Sequence, residues 1–122
     1  MAPLDRPRYD TAMLSEDDYI TRAHAELLQL VDAFDRIDAD GLEVELQNDI
    51  LTLEFADGGK FVVNSHRAAR QIWMAADRAA WHYDWDEAKN GWFAQKTGDE
   101  LWSTLERVTS KKLGRGLQLA RS

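Results

Sequence analysis

The sequence contains no cysteine among its 122 residues. Without a thiol, the chain cannot form a disulfide, cannot use a thiolate nucleophile and cannot hold zinc or an iron–sulfur cluster through cysteine. Proline is also scarce. The sequence has only two, Pro3 and Pro7, and both are close to the N-terminus. No apolar run approaches the ~18 residues that a membrane span requires, and the N-terminus has no apolar secretory segment. We therefore expect a cytoplasmic protein that binds no membrane.

Basic residues are too few to balance the acids, and the net charge is −7. Such a surface would repel phosphates, so we expect no nucleic-acid partner. The charge is also uneven along the chain. Residues 10–57 hold fourteen acids against Arg22 and Arg36, a balance of −12, whereas residues 58–122 hold eleven bases against seven acids, a balance of +4. This pattern indicates either a solvated acidic helix face or an acidic surface that binds a partner or a metal.

Residues 15–119 are predicted to form one domain, preceded by a flexible N-terminal arm, residues 1–14. Ser15 followed by Asp18 is a capping box, so a first helix should run from about Glu16 to Ile37. Its apolar residues recur at helical spacing. They are Ala23, Leu27, Leu30, Val31 and Phe34. The opposite side should carry Asp17, Thr21, His24, Leu28, Asp32 and Asp35.

Alternating apolar and polar residues after this helix predict an antiparallel meander. The predicted strands are Glu43–Leu46, Ile50–Phe55, Phe61–Asn64, Arg70–Ala76, Trp81–Trp85 and Trp92–Ala94. Residues 65–71 should form a loop or a single helical turn that leaves Arg67 and Arg70 exposed. Thr97–Glu100 has the pattern of a second capping box, opening a helix that ends near Lys112 with Gly114 as its stop. A short basic tail follows.

The order helix, strands, helix predicts an α+β fold. Two amphipathic helices should pack on one face of an antiparallel sheet of about six strands, giving a two-layer α/β sandwich. The expected core contains Leu27, Phe34, Leu53, Phe61, Tyr83, Trp92 and Trp102. The expected outer face of the sheet carries Thr52, Glu54, Asn64, Trp73 and His82.

Several short segments, in order and well spaced, resemble the frataxin family and within it the bacterial CyaY branch. They are Leu51–Phe55, Asp57–Lys60, Val63–Asn64, Gln71–Trp73, Trp81–Asp84, Gly91–Trp92 and Thr97–Trp102. The resemblance implies a frataxin-type sandwich and a role in iron–sulfur cluster assembly. It implies an iron chaperone or regulator that docks on the cysteine desulfurase, with the scaffold protein as a further partner. It also implies a monomer that iron can drive into oligomers.

The same resemblance implies weakly bound Fe2+ or Fe3+ on acids of the first helix. The metal residues would be Glu16, Asp17, Asp18, Asp32 and Asp35. The partner-binding residues would be Asp38, Glu43, Glu45, Glu54, Asn64, Trp73 and His82. From the residues alone, Trp73 has a second reading, in which it packs under the 65–71 segment. His24 and His82 are either ligands or ordinary surface residues, and His66 is expected in a loop beside arginines.

We expect no enzyme, because the sequence offers no thiolate, no Ser-His-Asp arrangement and no glycine-rich phosphate loop. An iron-oxidising, ferroxidase-type activity remains open. The alternative to an iron-binding regulator is a metal-independent acidic protein-interaction module.

Overall fold

A computed structural model of the protein describes residues 14–121. The predicted N-terminal arm, residues 1–14, lies outside the described residues except for its last residue. The described chain follows the order α1 (Glu16–Ile37), β1 (Leu42–Gln47), β2 (Ile50–Phe55), β3 (Lys60–His66), a 3₁₀ turn (Arg67–Ala69), β4 (Gln71–Ala76), β5 (Ala79–Asp86), β6 (Gly91–Ala94) and α2 (Leu101–Leu113). Neither of these two α-helices is long and apolar enough to cross a membrane.

The six strands form one antiparallel sheet in which the spatial order is the chain order. Short turns make this meander possible. Asn48 and Asp49, with φ of 53° and 59°, join β1 to β2 in the left-handed conformation that two-residue hairpin turns use. Asp77 and Arg78 do the same between β4 and β5, with φ of 52° and 67°. Both helices cover the same face of the sheet, so the predicted α+β two-layer sandwich is confirmed.

The first helix has the predicted bounds, and the second begins later than predicted. Ser15 Oγ accepts a hydrogen bond from the Asp18 amide at 3.1 Å, which caps α1 as expected. In α2 the N-cap is Glu100, whose carboxylate accepts from the Trp102 and Ser103 amides at 2.9 Å each. The predicted cap at Thr97 was wrong, because its hydroxyl closes a local turn with the Asp99 amide at 3.2 Å.

The apolar core lies between the helices and the sheet, and all seven predicted core residues are buried. Tyr19 of α1 joins them, with its ring edge-on to Trp92 at 6.2 Å between centroids. A less expected member of this layer is Glu26, which is only 6% exposed although it carries a carboxylate. Its partners come from α2 and from the end of the chain.

Within the 65–71 segment only Arg67–Ala69 forms the predicted helical turn, because Ser65 and His66 belong to β3 and Gln71 begins β4. The segment also does not expose both of its arginines. Arg67 is exposed. Arg70 is half-buried, and its guanidinium donates to the Leu14 carbonyl oxygen at 2.8 Å. Positive φ at Arg70, 53°, redirects the chain there and places this side chain near the start of α1. The prediction of an exposed arginine was wrong for Arg70.

The basic tail forms a C-terminal strap, residues 115–121, across the two helices. Leu119 is buried, and its amide donates to Glu106 Oε2 at 2.7 Å. The Ala120 carbonyl accepts from Arg36 of α1 at 2.8 Å. Arg121 Nη2 donates to Glu26 Oε2 at 2.5 Å. The strap therefore adds contacts to both helices and supplies a cation to the buried carboxylate.

Candidate functional site

The exposed side of α1 carries the five predicted metal residues in two separate groups. Glu16, Asp17 and Asp18 occupy the first turn, and Asp32 and Asp35 lie near the other end; all five are exposed. An α-helix rises 1.5 Å per residue, so Asp17 and Asp32 are about 22 Å apart along the axis. One ion cannot contact both groups. We call these five residues the acidic helix face.

Two contacts tie this side of α1 to neighbouring segments. Glu16 Oε2 lies 3.4 Å from Arg67 Nη2 of the 3₁₀ turn, and both side chains are exposed. His24 Nδ1 lies 2.7 Å from Asp49 Oδ1 in the β1–β2 turn. An exposed ion pair of this kind contributes little to stability. The two contacts show that the 3₁₀ turn and the β1–β2 turn lie beside α1.

The acidic helix face offers oxygen ligands without enclosing an ion. Within residues 14–121, no group of three His, Asp or Glu side chains is arranged to hold a metal. Carboxylate oxygens suit hard ferric iron, and ferrous iron accepts them when water completes its shell. The chemistry of these donors therefore fits an ion held through one or two carboxylates and water. It does not fit a closed, tight site.

The remaining predicted partner residues, apart from Asp38, share the outer face of the sheet. Asp38 is exposed in the left-handed conformation that ends α1, with φ of 49°. On the sheet, Glu43 is directly opposite Glu54, and Glu54 is opposite Lys60. Glu45 is opposite Thr52. The three predicted acids of this face, Glu43, Glu45 and Glu54, therefore lie on its first two strands, at the β1 edge.

A continuous row of cross-strand neighbours runs over the same face. Its members, from β1 to β5, are Gln47, Ile50, Asn64, Trp73 and His82. Ile50 is one of the most exposed large apolar side chains of the described region, at 46%. Tryptophan is enriched at protein interfaces, and here it lies in line with an exposed apolar side chain.

Trp73 lies at the centre of an aromatic stack, which we define as His66, Trp73 and His82. The indole centroid is 3.7 Å from the His66 ring and 4.2 Å from the His82 ring, with interplanar angles of 13° and 14°. Trp73 is half-buried. The indole thus lies on the outer face, as one reading of the sequence predicted. The second reading is correct in part, because His66 of the 65–71 segment covers one side of the ring and His82 covers the other.

The sequence interpretation missed three residues of this face. His66 was expected in a loop, but it is the last residue of β3. Gln71 accepts from Trp73 Nε1 at 2.8 Å and donates to Asp84 Oδ1 at 3.0 Å. Ile50 could have been found from the strand period, since alternation from the buried Leu51 places it outward with Thr52. No local signal indicates that His66 stacks on Trp73, because the contact depends on the register of β3 and β4.

A profile of the frataxin-like domain matches residues 12–115. This chain belongs to the frataxin-like family. The C-terminal strap lies almost wholly beyond the matched residues.

Two relatives illustrate the similarity. The iron-sulfur cluster assembly protein CyaY of Thioalkalivibrio sulfidiphilus is 39% identical over 101 residues, covering 79% of this chain and 92% of that protein. The CyaY protein of Paraburkholderia phymatum is 31% identical over 107 residues, covering 88% of this chain and 99% of that protein. A solved frataxin from Psychromonas ingrahamii has a TM-score of 0.80 at 20% identity, covering 88% of this chain and 100% of that one. At 20% identity the structural match shows the fold alone.

Proposed function

We propose that this frataxin-like chain acts in iron–sulfur cluster assembly by docking on the cysteine desulfurase, and that it holds iron weakly as a chaperone or regulator. One observation carries the proposal: a single small domain combines an exposed acidic helix face with a sheet face that presents Trp73. Its relatives named as iron–sulfur cluster assembly proteins support the same role. The scaffold protein is a second candidate partner.

Docking would use the two surfaces differently. The acids of α1 and of the β1 edge attract a basic patch before contact, over a Debye length of roughly 8 Å at physiological salt. The outer sheet face supplies contacts after encounter, since tryptophan is among the commonest anchors of protein interfaces. The attraction before contact would come from Asp38, Glu43, Glu45 and Glu54. The contacts after encounter would come from Asn64, Trp73 and His82.

The iron in this proposal is cargo held through few ligands. Fe2+ or Fe3+ would bind near Glu16, Asp17 and Asp18, or near Asp32 and Asp35, with water completing the coordination. Other divalent ions should compete, because nothing in a hydrated carboxylate pair selects strongly for iron. We also propose that the protein is a cytoplasmic monomer without catalytic activity, and that iron can drive it to associate. A ferrous-oxidation assay tests the catalytic part.

A metal-independent docking module is the second candidate. The wide separation of the two acidic groups on α1 favours it, since such groups can attract a basic protein without sharing an ion. To separate the two, the purified protein is titrated against the purified desulfurase of its own organism, with and without iron, chelator and salt. We expect a complex that survives chelator and weakens with salt. A complex that forms only with iron and ignores salt would contradict the docking proposal.

Replacing the central tryptophan tests the sheet face. We expect Trp73→Ala to weaken desulfurase binding by about 2 kcal/mol, or roughly thirtyfold, and to leave the protein folded with a lower melting temperature, because its two stacking contacts are lost. Isothermal titration and a thermal melt give the two values. Phe93→Ala is the matched control, because Phe93 is another half-buried aromatic residue of the same sheet. Equal losses of affinity in both variants would mean that Trp73 has no special role.

A further inference from the structure

The aromatic stack holds Trp73 in one orientation before any partner is present. His66 and His82 cover the two faces of the indole at 3.7 and 4.2 Å between centroids. The indole Nε1 donates to Gln71 Oε1 at 2.8 Å, and Gln71 is itself held by Asp84. Contacts on both faces and at one polar atom leave the ring little freedom to change rotamer.

The two histidines reach the indole from different strands. His82 is the direct cross-strand neighbour of Trp73 on β5. His66 is paired with Gln71 and reaches Trp73 along the diagonal, a contact that long and aromatic side chains make in antiparallel sheets. The Nδ1 atom of His66 is buried without a hydrogen-bond partner among the described residues. Hydrogen bonding of that atom therefore does not explain the ring's position, whereas stacking on Trp73 does.

Fixing a side chain in advance matters for binding, because association must otherwise freeze its rotamers. We propose that His66 and His82 are positioning residues, which hold Trp73 in its docking geometry and so lengthen the lifetime of the desulfurase complex. This inference rests on the docking function proposed above. It adds to that function the residues that act through Trp73 and the kinetic step that they affect.

The surroundings of the stack indicate the chemistry of the partner surface. On β3, β4 and β5, the outward neighbours of the stack are Val62, Asn64, Gln71, Ala75, Ala80 and Asp84. Only Asp84 among them is acidic, and its carboxylate is engaged by Gln71. The matching surface is therefore an uncharged, partly apolar patch of the partner. Its contribution should appear in the dissociation rate and should not depend on salt, unlike the steering by the acidic helix face.

The test compares association and dissociation rates for the full chain and the purified desulfurase at low and high salt. Removing the ring with His66→Ala should raise the dissociation rate about threefold to tenfold at both salt concentrations, with the association rate changed less than twofold. His66→Phe restores a ring and should return the dissociation rate to within about twofold of the original. His82→Ala and His82→Phe repeat the comparison from the other side of the indole.

Two further measurements distinguish positioning from direct contact. In a Trp73→Ala background, His66→Ala should have no additional effect, because the residue on which it acts is gone. In the free protein labelled with 5-fluorotryptophan, the Trp73 fluorine resonance, assigned with Trp73→Phe, should move toward the solvent-exposed position in His66→Ala and return in His66→Phe. These readouts do not follow from a general loss of stability.

The outcomes separate this inference from the function on which it rests. An unchanged dissociation rate in His66→Ala and His82→Ala, with a raised rate in Trp73→Ala, would overturn the positioning role and leave docking intact. An unchanged rate in Trp73→Ala as well would remove this face from the docking site. A full effect of His66→Ala in the Trp73→Ala background would mean that His66 contacts the partner directly.

Discussion

Two tyrosines of the core differ in how their hydroxyl groups are satisfied. Tyr19 and Tyr83 are 1% and 0% exposed. The Tyr19 hydroxyl donates to the Gln71 carbonyl oxygen at 2.7 Å. The Tyr83 hydroxyl lies near the Thr104 side chain but makes no hydrogen bond of normal geometry with any described residue. Burial raises the pKa of both hydroxyls. The pair therefore offers a matched comparison of a bonded and an unbonded buried hydroxyl.

Removing the Tyr83 hydroxyl should not destabilise the protein. An unpaired buried hydroxyl only carries a desolvation cost, so we expect Tyr83→Phe to keep the free energy of unfolding or raise it by about 1 kcal/mol. Tyr19→Phe, the control, should lower it by about 1 kcal/mol, because the Gln71 carbonyl loses its partner. Urea denaturation measures both values. A loss in Tyr83→Phe as large as in Tyr19→Phe would contradict the assignment.

Tyr83 also makes the stability of the protein depend on pH in the alkaline range. An unfolded tyrosine ionises near pH 10, whereas burial keeps the folded Tyr83 protonated to higher pH because its pKa is raised. The contribution of protonated Tyr83 to the free energy of unfolding is therefore fully present below about pH 10. It falls as pH rises beyond that value, since this tyrosine loses its proton first in the unfolded chain. In Tyr83→Phe this fall should be smaller. Urea midpoints measured at about pH 8 and pH 11 in both proteins give the comparison.

At the scale of single elements, the acids in the first turn of α1 affect both the proposed iron binding and the stability of the helix. Its three acids are exposed and favourably placed at the helix N-terminus. We expect the combined change Glu16→Gln, Asp17→Asn, Asp18→Asn to weaken iron binding and to cost about 1 kcal/mol of stability. Asp32→Asn with Asp35→Asn is the comparison at the other end of the helix. An unchanged iron titration in the triple variant would remove the first turn from the metal site.

The C-terminal strap stabilises a carboxylate that α1 buries. Glu26 is 6% exposed and accepts hydrogen bonds from Trp102 Nε1 and from Arg121. The Arg121 guanidinium also lies over the Trp102 ring, 4.5 Å from its centroid. A buried carboxylate without its cation is costly, because desolvation is no longer offset. Arg121 of the strap therefore stabilises the packing of α1 by offsetting the desolvation of Glu26.

Breaking this pair should destabilise the fold in a way that a second change reverses. We expect Arg121→Gln to lower the free energy of unfolding by about 2 kcal/mol, since the pair is only partly shielded from solvent. Adding Glu26→Gln removes the uncompensated charge and should recover part of that loss. Urea denaturation followed by circular dichroism gives the four values of the cycle. Additive losses in the double variant would mean that the two side chains do not interact.

At the scale of the whole molecule, the charge is distributed unequally over the surface. Residues 10–57 have a local balance of −12, and their acids, apart from Asp10, which lies outside the described residues, are carried by α1, the loop after it, the first two strands and the turns that follow those strands. The excess of bases in the later part of the chain lies in α2, with Arg107, Lys111 and Lys112, and in the C-terminal strap, with Arg115 and Arg121. Such an arrangement gives the domain one strongly negative side, which steers an approaching basic partner and acts mainly on the association rate.

Neutralising part of that side should slow association. We expect Asp32→Asn with Asp35→Asn to lower the rate of association with the desulfurase about threefold at low salt, with little change in dissociation. The control is Asp77→Asn with Glu87→Gln, which changes the net charge equally in turns far along the chain from the acidic segment. Stopped-flow measurements at low and high salt show whether the difference fades with salt. An equal slowing in the control would mean that only net charge matters.

Much of this architecture follows from the sequence alone, because it depends on residues close together in the chain. A period of two predicts the strands, helical spacing predicts α1 and α2, and short turns join neighbouring strands into a meander. The acids of α1 and the outward direction of Trp73 follow from the same periods. The family resemblance rests on local segments as well, and the profile match to residues 12–115 confirms it.

Only the tertiary structure decided the contacts that cross long stretches of chain. Glu26 and Arg121 are 95 residues apart, and their pairing depends on how the strap crosses both helices. His66 meets Trp73 because β3 and β4 pair in one particular register, which no local pattern specifies. Glu100 replaces Thr97 as the cap of α2 because its carboxylate reaches two free amides of the first turn. Local propensity describes neighbours in sequence, whereas these interactions depend on packing and register between elements.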